Sequence, residues 1–273
     1  MEIGITITDL NGTIIYTNPV EATAHGWSVE ELIGKQSRIF APKDIWRTMT
    51  IDEIGNIAFF TRETTNVRKD GTIFPVRITS DIIRNEENEP IYIVNASMDL
   101  SEKKRLGEML FRLSITDSLT GLFNRRYFQK KIADEMSRAR RMGYPLSLIM
   151  LDVDDLKIYN DTHGHLAGDD LLLGVAEIIA GSIRKDTDTA YRYGGDEFMV
   201  ILPNSDEEKA GCVALRIARK VTERFGRIGV SAGVAGFSNG DSEKGLIHAA
   251  DRAMYADKGK KKRIGSVENM PRF

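Results

Sequence analysis

An α+β architecture in two parts is predicted, an antiparallel sheet with short helices first and a mixed sheet with packed helices second. Three observations carry it. Residues 1–99 hold short β-type runs punctuated by Asn-Gly and Asp-Gly turns, residues 99–116 show one apolar stripe among charges, and from Asp117 onward helical and strand periods alternate. At 273 residues and 41% hydrophobic content the chain can bury a sizeable core, and its length favours two domains over one. The divisions expected are a first domain at 1–99, a helix at 100–116, a second domain at 117–265 and a tail at 266–273.

In order, residues 3–10 and 13–17 form a hairpin about Asn11-Gly12. Ser28 then caps a short helix to residue 33, with Glu31 three residues on completing a capping box. Strands are expected at 57–68 and 72–83, paired across Lys69-Asp70-Gly71, and at 91–98 after a polar loop. Leu106, Met109, Leu110 and Leu113 then recur on one helix face. Two arrangements cover that stripe: a second copy of the helix, or the protein's own domain.

Residues 125–142 read as a helix stopped by Gly143 and Pro145. Leu171, Leu172, Val175, Ala176, Ile179 and Ile183 form one helix face, and Ala210, Val213, Ala214, Ile217, Ala218 and Val221 another. A glycine-interrupted strand at 228–237 and a helix marked by Leu246, Ile247, Ala250 and Met254 close the pattern, with the helices expected on one side of the sheet.

Composition excludes several classes of function. Net charge is −2, so no global field points to nucleic acid or to an anionic membrane. Cys212 is the sole cysteine, which excludes disulfides and clustered-cysteine zinc sites within one chain, and it is expected to be a small buried residue on a helix. No stretch approaches the roughly 20 apolar residues of a membrane span, and Met1-Glu2-Ile3 lacks a signal-peptide start. A soluble cytoplasmic protein is expected, although a strand starting almost at Met1 is also what a fragment would show. The Lys258-Gly259-Lys260-Lys261-Lys262-Arg263 cluster reads as a solvated basic tail or as a phosphate contact.

Two acidic clusters carry the chemistry. Arg192-Tyr193-Gly194-Gly195-Asp196-Glu197-Phe198 places two glycines and two carboxylates at a hairpin tip between strand-like runs at 189–193 and 198–202. Upstream, the apolar run 146–151 ends in Asp152-Val153-Asp154-Asp155. Acids ending a buried strand are costly unless paired or metal-bound. Side by side in one sheet, the two clusters would make a hard, oxygen-rich site suited to Mg²⁺.

These stretches, together with Asp117-Ser118-Leu119-Thr120-Gly121-Leu122-Phe123-Asn124-Arg125-Arg126 and Asn160-Asp161-Thr162-His163-Gly164-His165-Leu166-Ala167-Gly168-Asp169, resemble in order and spacing the GGDEF diguanylate cyclases over residues 114–264. The first domain resembles a PAS sensor, through Gly26-Trp27-Ser28-Val29-Glu30-Glu31-Leu32-Ile33-Gly34-Lys35, Arg68-Lys69-Asp70-Gly71-Thr72 and the exit Met98-Asp99-Leu100-Ser101-Glu102-Lys103-Lys104. The resemblance implies a palm-like, ferredoxin-like sheet of the nucleotidyl-cyclase kind. It also implies an enzyme that joins two GTP molecules into cyclic di-GMP with release of pyrophosphate. One GTP would be held by each protomer of a homodimer, with Mg²⁺ as cofactor and Mn²⁺ as a substitute.

By the same resemblance Asp152, Asp196 and the Val153 carbonyl are metal ligands, Asp196 is the proton acceptor, and Glu197 is a second ligand or a brace of the hairpin. Lys157 stabilises phosphate, backbone N–H groups of Asp154, Asp155 and Leu156 form a phosphate nest, and Lys258 and Lys262 are basic phosphate contacts. Asn160 and Asp169 read guanine, a carboxylate being able to accept from the ring N–H and the exocyclic amine together. Asp169 also suits the N-cap of a helix starting near Asp170, and Asn160 a turn amide.

Two departures from the family pattern stand out. The Arg-x-x-Asp product-inhibition motif is represented by Lys185 and Asp188, with Arg184 one residue out of register, so product inhibition is expected to be weak or absent. Leu156 stands where the family commonly has Phe, which is expected to alter packing rather than activity. In the sensor, the absence of cysteine rules out flavin-cysteinyl photochemistry. His25 is an ordinary polar histidine or a haem ligand. Trp27, Phe40, Trp46, Phe59 and Phe60 fill a core or line a cavity for an unnamed ligand. The alternative to an enzyme is an inactive nucleotide receptor or a dimerisation scaffold.

Overall fold

Alternation of buried and open positions fixes the first sheet. The computed structural model describes residues 2–43 and 60–268, with side chains as far as Lys261. Trp46, Phe59, the start of the strand expected at 57–68 and the Lys262 side chain lie outside the described residues. The chain divides into two compact units, Met1–Leu110 and Phe111–Phe273.

In the first unit, β1 (Gly4–Thr8), β2 (Ile14–Thr17), β3 (Phe60–Val67), β4 (Ile73–Arg84) and β5 (Pro90–Asp99) form an antiparallel sheet in the order β2-β1-β5-β4-β3. Gly4, Thr6 and Thr8 are buried along β1 with intermediate residues between them, the period-two signature of a strand with one covered face. Helix α1 (Pro19–Ala24) is capped by Asn18. Helix α2 (Val29–Leu32) carries the expected capping box, Ser28 accepting from Glu31 N–H while Glu31 accepts from Ser28 N–H. Ile14, Ala22, Leu32 and Phe40 make a compact apolar cluster, with Trp27 packed on its edge.

Helix α3 (Ser101–Ile115) starts where the Asp99 carboxylate accepts from Ser101 N–H, and it buries none of its residues. Leu106, Leu110 and Leu113 are 46%, 66% and 67% exposed, so the described residues leave the apolar stripe uncovered.

The second unit is a mixed sheet of β6 (Phe123–Asn124), β7 (Leu146–Val153), β8 (Thr189–Gly194), β9 (Glu197–Pro203) and β10 (Val230–Gly236), ordered β10-β7-β9-β8-β6. Only the short β6 runs parallel to its neighbour, β8. Helix α4 (Arg125–Met142) has Asn124 as N-cap and a left-handed Gly143 as C-cap. Then follow α5 (Leu156–His163), α6 (His165–Ala180), α7 (Glu207–Phe225) and α8 (Glu243–Glu268).

Every residue of β7 is buried, because helices cover both faces of the sheet rather than the one side expected. Ile149, Leu151 and Val153 face the apolar sides of α6 and α7, while Leu146, Leu148 and Met150 face α4 and α8. Each such side chain contributes roughly 1.5–3 kcal/mol by leaving water. The strand that ends in the acids is therefore rigidly held. Among the described residues no helix is long and apolar enough to cross a membrane.

Candidate active site

The end of β7 is where the two acidic clusters meet. Asp152 lies opposite Glu197 of β9 and Ser231 of β10 in the strand register. Val153 N–H donates to the Asp196 carbonyl at 3.1 Å, so the hairpin tip is laced to the strand end. The tip itself turns through Gly195 at φ +52, a left-handed conformation that glycine adopts without strain.

Burial pushes the Asp152 carboxyl above the ordinary carboxylate range, and Asp196 and Asp154 push the same way. They outweigh the opposing hydrogen bond from Lys258, whose Nζ sits 2.5 Å from Asp152 Oδ1. Glu197 is raised too, by burial first and then by Asp196, Asp152 and Asp251, with Arg125 opposing. These acids therefore repel one another across a shared space.

Among the described residues no group of three or more His, Cys, Asp or Glu side chains is gathered to hold a metal ion. The donors present still fit Mg²⁺, which is commonly held by one or two carboxylates completed by substrate phosphates and water rather than by an all-protein cage. Asp152, Asp196 and the Val153 carbonyl are all hard oxygen donors.

Beyond the strand the chain makes a sharp turn. Asp155 is left-handed at φ 56 and is the N-cap of α5, with no side-chain cap bond. Asp154 N–H, one of the three nest members expected, instead donates to the Gly229 carbonyl at 2.9 Å. The Asp155 and Leu156 N–H groups are then the remaining members, at a helix start that favours an anion. The Asp154 carboxylate accepts from Ser231 Oγ at 2.6 Å, which fixes the loop. Leu156 packs against the core of the sheet, and Lys157 is exposed.

Asn160 and Asp169 are carried by α5 and α6. Asp169 lies well inside α6, which starts at His165, so the expected N-cap role is excluded. Asn160 is helical rather than a turn amide, and its Oδ1 is buried with no hydrogen-bond partner among the described residues. A Cβ at Gly168 would collide with that amide and displace it, so the glycine leaves the room the Asn160 side chain occupies. A buried amide oxygen with no partner among the described residues is a place for a polar ligand.

Sequence reasoning missed a brace behind the hairpin. Arg192 donates to the Gly195 carbonyl from Nε at 3.0 Å and from Nη2 at 2.8 Å, and from Nη1 to Asp117 Oδ1 at 3.2 Å. Asp117 also accepts from Thr120 N–H and Oγ1, and Asn124 Nδ2 donates to the Ser114 and Thr116 carbonyls. Burial opposes ionisation of Asp117, but Thr120 and Arg192 outweigh it and hold the carboxyl low. Both residues stood in recognisable motifs, yet only the fold brings them together.

At the degenerate inhibitory motif, Asp188 is buried and its carboxylate is taken by Arg184 through N–H, Nε and Nη2 at 2.6–3.2 Å. Lys185 is exposed. Cys212, expected to be buried, is exposed, because the covered face of α7 runs through Ala210, Ala214, Ile217 and Val221.

A palm-type sheet with converging acids beside an anion-receptive helix start marks a nucleotidyl cyclase. The model of the family described as diguanylate cyclase, GGDEF domain, matches residues 114–263, and that of a PAS domain matches residues 2–102. The chain belongs to the GGDEF family of diguanylate cyclases and carries a PAS domain ahead of the GGDEF domain.

A diguanylate cyclase of Vibrio cholerae serotype O1 is 29% identical over 264 residues, covering 90% of this chain and 80% of that protein. Diguanylate cyclase A of Treponema denticola is 35% identical over 176 residues, 60% of this chain and 47% of its own length, so the chain spans about half of that relative. Among solved structures, the coiled coil and GGDEF domain of DgcB from Caulobacter crescentus, in complex with c-di-GMP, aligns with a TM-score of 0.54 at 32% identity over 58% of this chain and 90% of that one. SiaD of Pseudomonas aeruginosa, in complex with its activator SiaC, aligns at 0.53 and 34% identity over 58% and 64%.

Proposed function

We propose that the chain condenses two GTP molecules into cyclic di-GMP and pyrophosphate as a homodimer, in the cytoplasm where GTP is found, under control of the PAS domain. The observation that carries this is the convergence of Asp152 with Asp196 and Glu197 at one strand end, where Asp152 lies opposite Glu197 and Val153 N–H holds the Asp196 carbonyl. Mg²⁺, with Mn²⁺ as a substitute, supplies acidification of the attacking ribose hydroxyl and neutralises charge on the leaving pyrophosphate.

The chain's own residues do the rest. Asp152, Asp196 and the Val153 carbonyl hold the cation, and Asp196 accepts the hydroxyl proton. Glu197 adds negative field or a further ligand. The Asp155 and Leu156 N–H groups with Lys157, Lys258 and Lys262 orient the triphosphate so that attack is in line. Asn160 and Asp169 read the guanine, and adenine in that place would leave Asp169 without its donors. Each protomer presents one GTP, so two copies must face each other. The uncovered stripe of α3 is the dimer contact, and Leu106→Glu with Leu110→Glu gives a monomer that binds GTP without making product. Because Asp188 is spent on Arg184 and Lys185 lacks the planar fork of arginine, product inhibition through that motif is weak or absent.

Incubating the purified chain with GTP and Mg²⁺ and identifying the product by mass tests the reading. Cyclic di-GMP is expected. Intact GTP with tight binding would favour a nucleotide receptor, and no binding would favour a scaffold.

A further inference from the structure

Lys258 and the proposed metal compete for one carboxylate. Its Nζ lies 2.5 Å from Oδ1 of Asp152, on the carboxylate a cation would ligate, with the two side chains 28% and 11% exposed. The charges of Asp154 and Asp196 reach the same ammonium. A divalent ion drawn to Asp152 and Asp196 would meet a resident positive charge at contact range.

The neighbouring basic residues are differently placed. Lys261 donates to the Val230 carbonyl at 2.6 Å and pairs with Asp257 at 2.8 Å, lying 4.0 Å from Asp154. Lys260 is exposed. Lys258 alone among the described lysines of α8 sits on Asp152, and a lysine is a compact charge on a flexible stem, able to exchange one anion for another.

We propose that Lys258 is an internal counter-cation that occupies Asp152 in the metal-free protein and moves to the triphosphate on loading, so that metal and nucleotide enter as a coupled pair. This rests on the metal site proposed above. Metal without nucleotide must displace the lysine into water. Metal with nucleotide displaces it onto phosphate, so each ligand raises the affinity for the other, reciprocally.

The test is Mn²⁺ binding to the full chain, followed by the electron paramagnetic resonance of the free ion, without nucleotide and then with the α,β-methylene analogue of GTP. Without nucleotide, Lys258→Met is expected to bind Mn²⁺ roughly tenfold more tightly than the wild type, a usual size for coupling between two ligands. Lys260→Met, which removes the same charge from the same helix, stays within about twofold. The analogue should tighten Mn²⁺ strongly in the wild type and much less in Lys258→Met. Lys258→Gln repeats the measurement if thermal melting shows Lys258→Met unfolded.

Equal affinities for wild type and Lys258→Met, or equal gains in Lys258→Met and Lys260→Met, overturn the proposal. Asp152→Asn separates the two levels. If it retains Mn²⁺ binding, the metal site itself is wrong. If it loses binding while Lys258→Met matches the wild type, only the lysine exchange fails.

Discussion

In the N-terminal unit, His25 and Glu21 are buried among groups that satisfy them, whereas in the C-terminal unit Asp152 and Glu197 are crowded by groups that repel them. The His25 ring donates from Nδ1 to the Glu21 carbonyl at 3.0 Å and accepts at Nε2 from Asn66 Nδ2 at 2.9 Å, with Phe40 and Phe74 against its faces. Both nitrogens are spent inside the unit, as expected of an ordinary buried histidine. The Ser97 hydroxyl donates to the Glu21 carboxyl, which burial pushes up toward its neutral form. Around Asp152 the neighbours are Asp154, Asp196 and Glu197, and one lysine offsets them. A polar group that completes its bonds internally specifies a core, and one that cannot specifies a ligand.

The largest effect that sharpens this contrast is on turnover. Asp196→Asn should lower cyclic di-GMP formation by about a thousandfold or more, the scale of a lost group at a metal-assisted site, while the melting temperature holds or rises because a repulsion is removed. A melting temperature lowered by many degrees would show that the acids are structural.

Next comes a matched pair of glycines. A Cβ at Gly4 would strike the Glu21 carboxylate and Ser97 Oγ, and one at Gly168 would strike the Asn160 amide. Gly4→Ala is expected to cost about 1–3 kcal/mol in urea unfolding and leave KM for GTP unchanged. Gly168→Ala should raise that KM roughly tenfold, since it displaces the proposed guanine contact of Asn160, with a smaller change in stability. The reverse assignment of effects would break the comparison.

His25 and the raised acids of the second unit answer acid with opposite signs. Burial lowers the His25 pKa from 6.5 to about 4, so its contribution is complete above 6.5 and is lost as pH falls through 4. The window corresponds to roughly 3 kcal/mol. Glu21, raised, works in the other direction, so the difference between wild type and His25→Gln isolates the imidazole. Trp27 and Trp46 are the chain's two tryptophans and both lie before α3, so indole fluorescence reads this unit. Asp152 and Glu197, raised from 3.8 and 4.5, contribute fully below those values, and the contribution is lost as pH rises through their folded pKa values. Asp152→Asn should therefore flatten that part of the profile. An unchanged profile would count against crowding.

The smallest effect belongs to a surface pair. Arg224 and Glu177 meet at 2.8 Å with both side chains about half exposed. Arg224→Gln should change stability by less than about 1 kcal/mol and activity not at all.

Where local chemistry decides structure, the sequence was readable. Residues 125–142 were legible as a helix because Gly143 and Pro145 are strong stop signals, and the capping box at Ser28 and Glu31 was legible because it is a strong start signal. The acids of β7 and the hairpin were legible because carboxylates ending an apolar run are costly. Helix α5 was not, since it follows a left-handed Asp155 and stops at a Gly164 of φ 88 after a short span with no buried stripe. The second covered face of the sheet, the Arg192 to Asp117 brace and the Lys258 to Asp152 pair, 106 residues apart, depend on tertiary packing that no local period encodes.

The most direct test of the central claim is the position of Mn²⁺ in crystals grown with the α,β-methylene analogue of GTP, located by its anomalous scattering. An ion directly ligated by carboxylate oxygens of both Asp152 and Asp196 and by the Val153 carbonyl is expected. An ordered nucleotide whose metal touches only one of the two carboxylates, or neither, would contradict it.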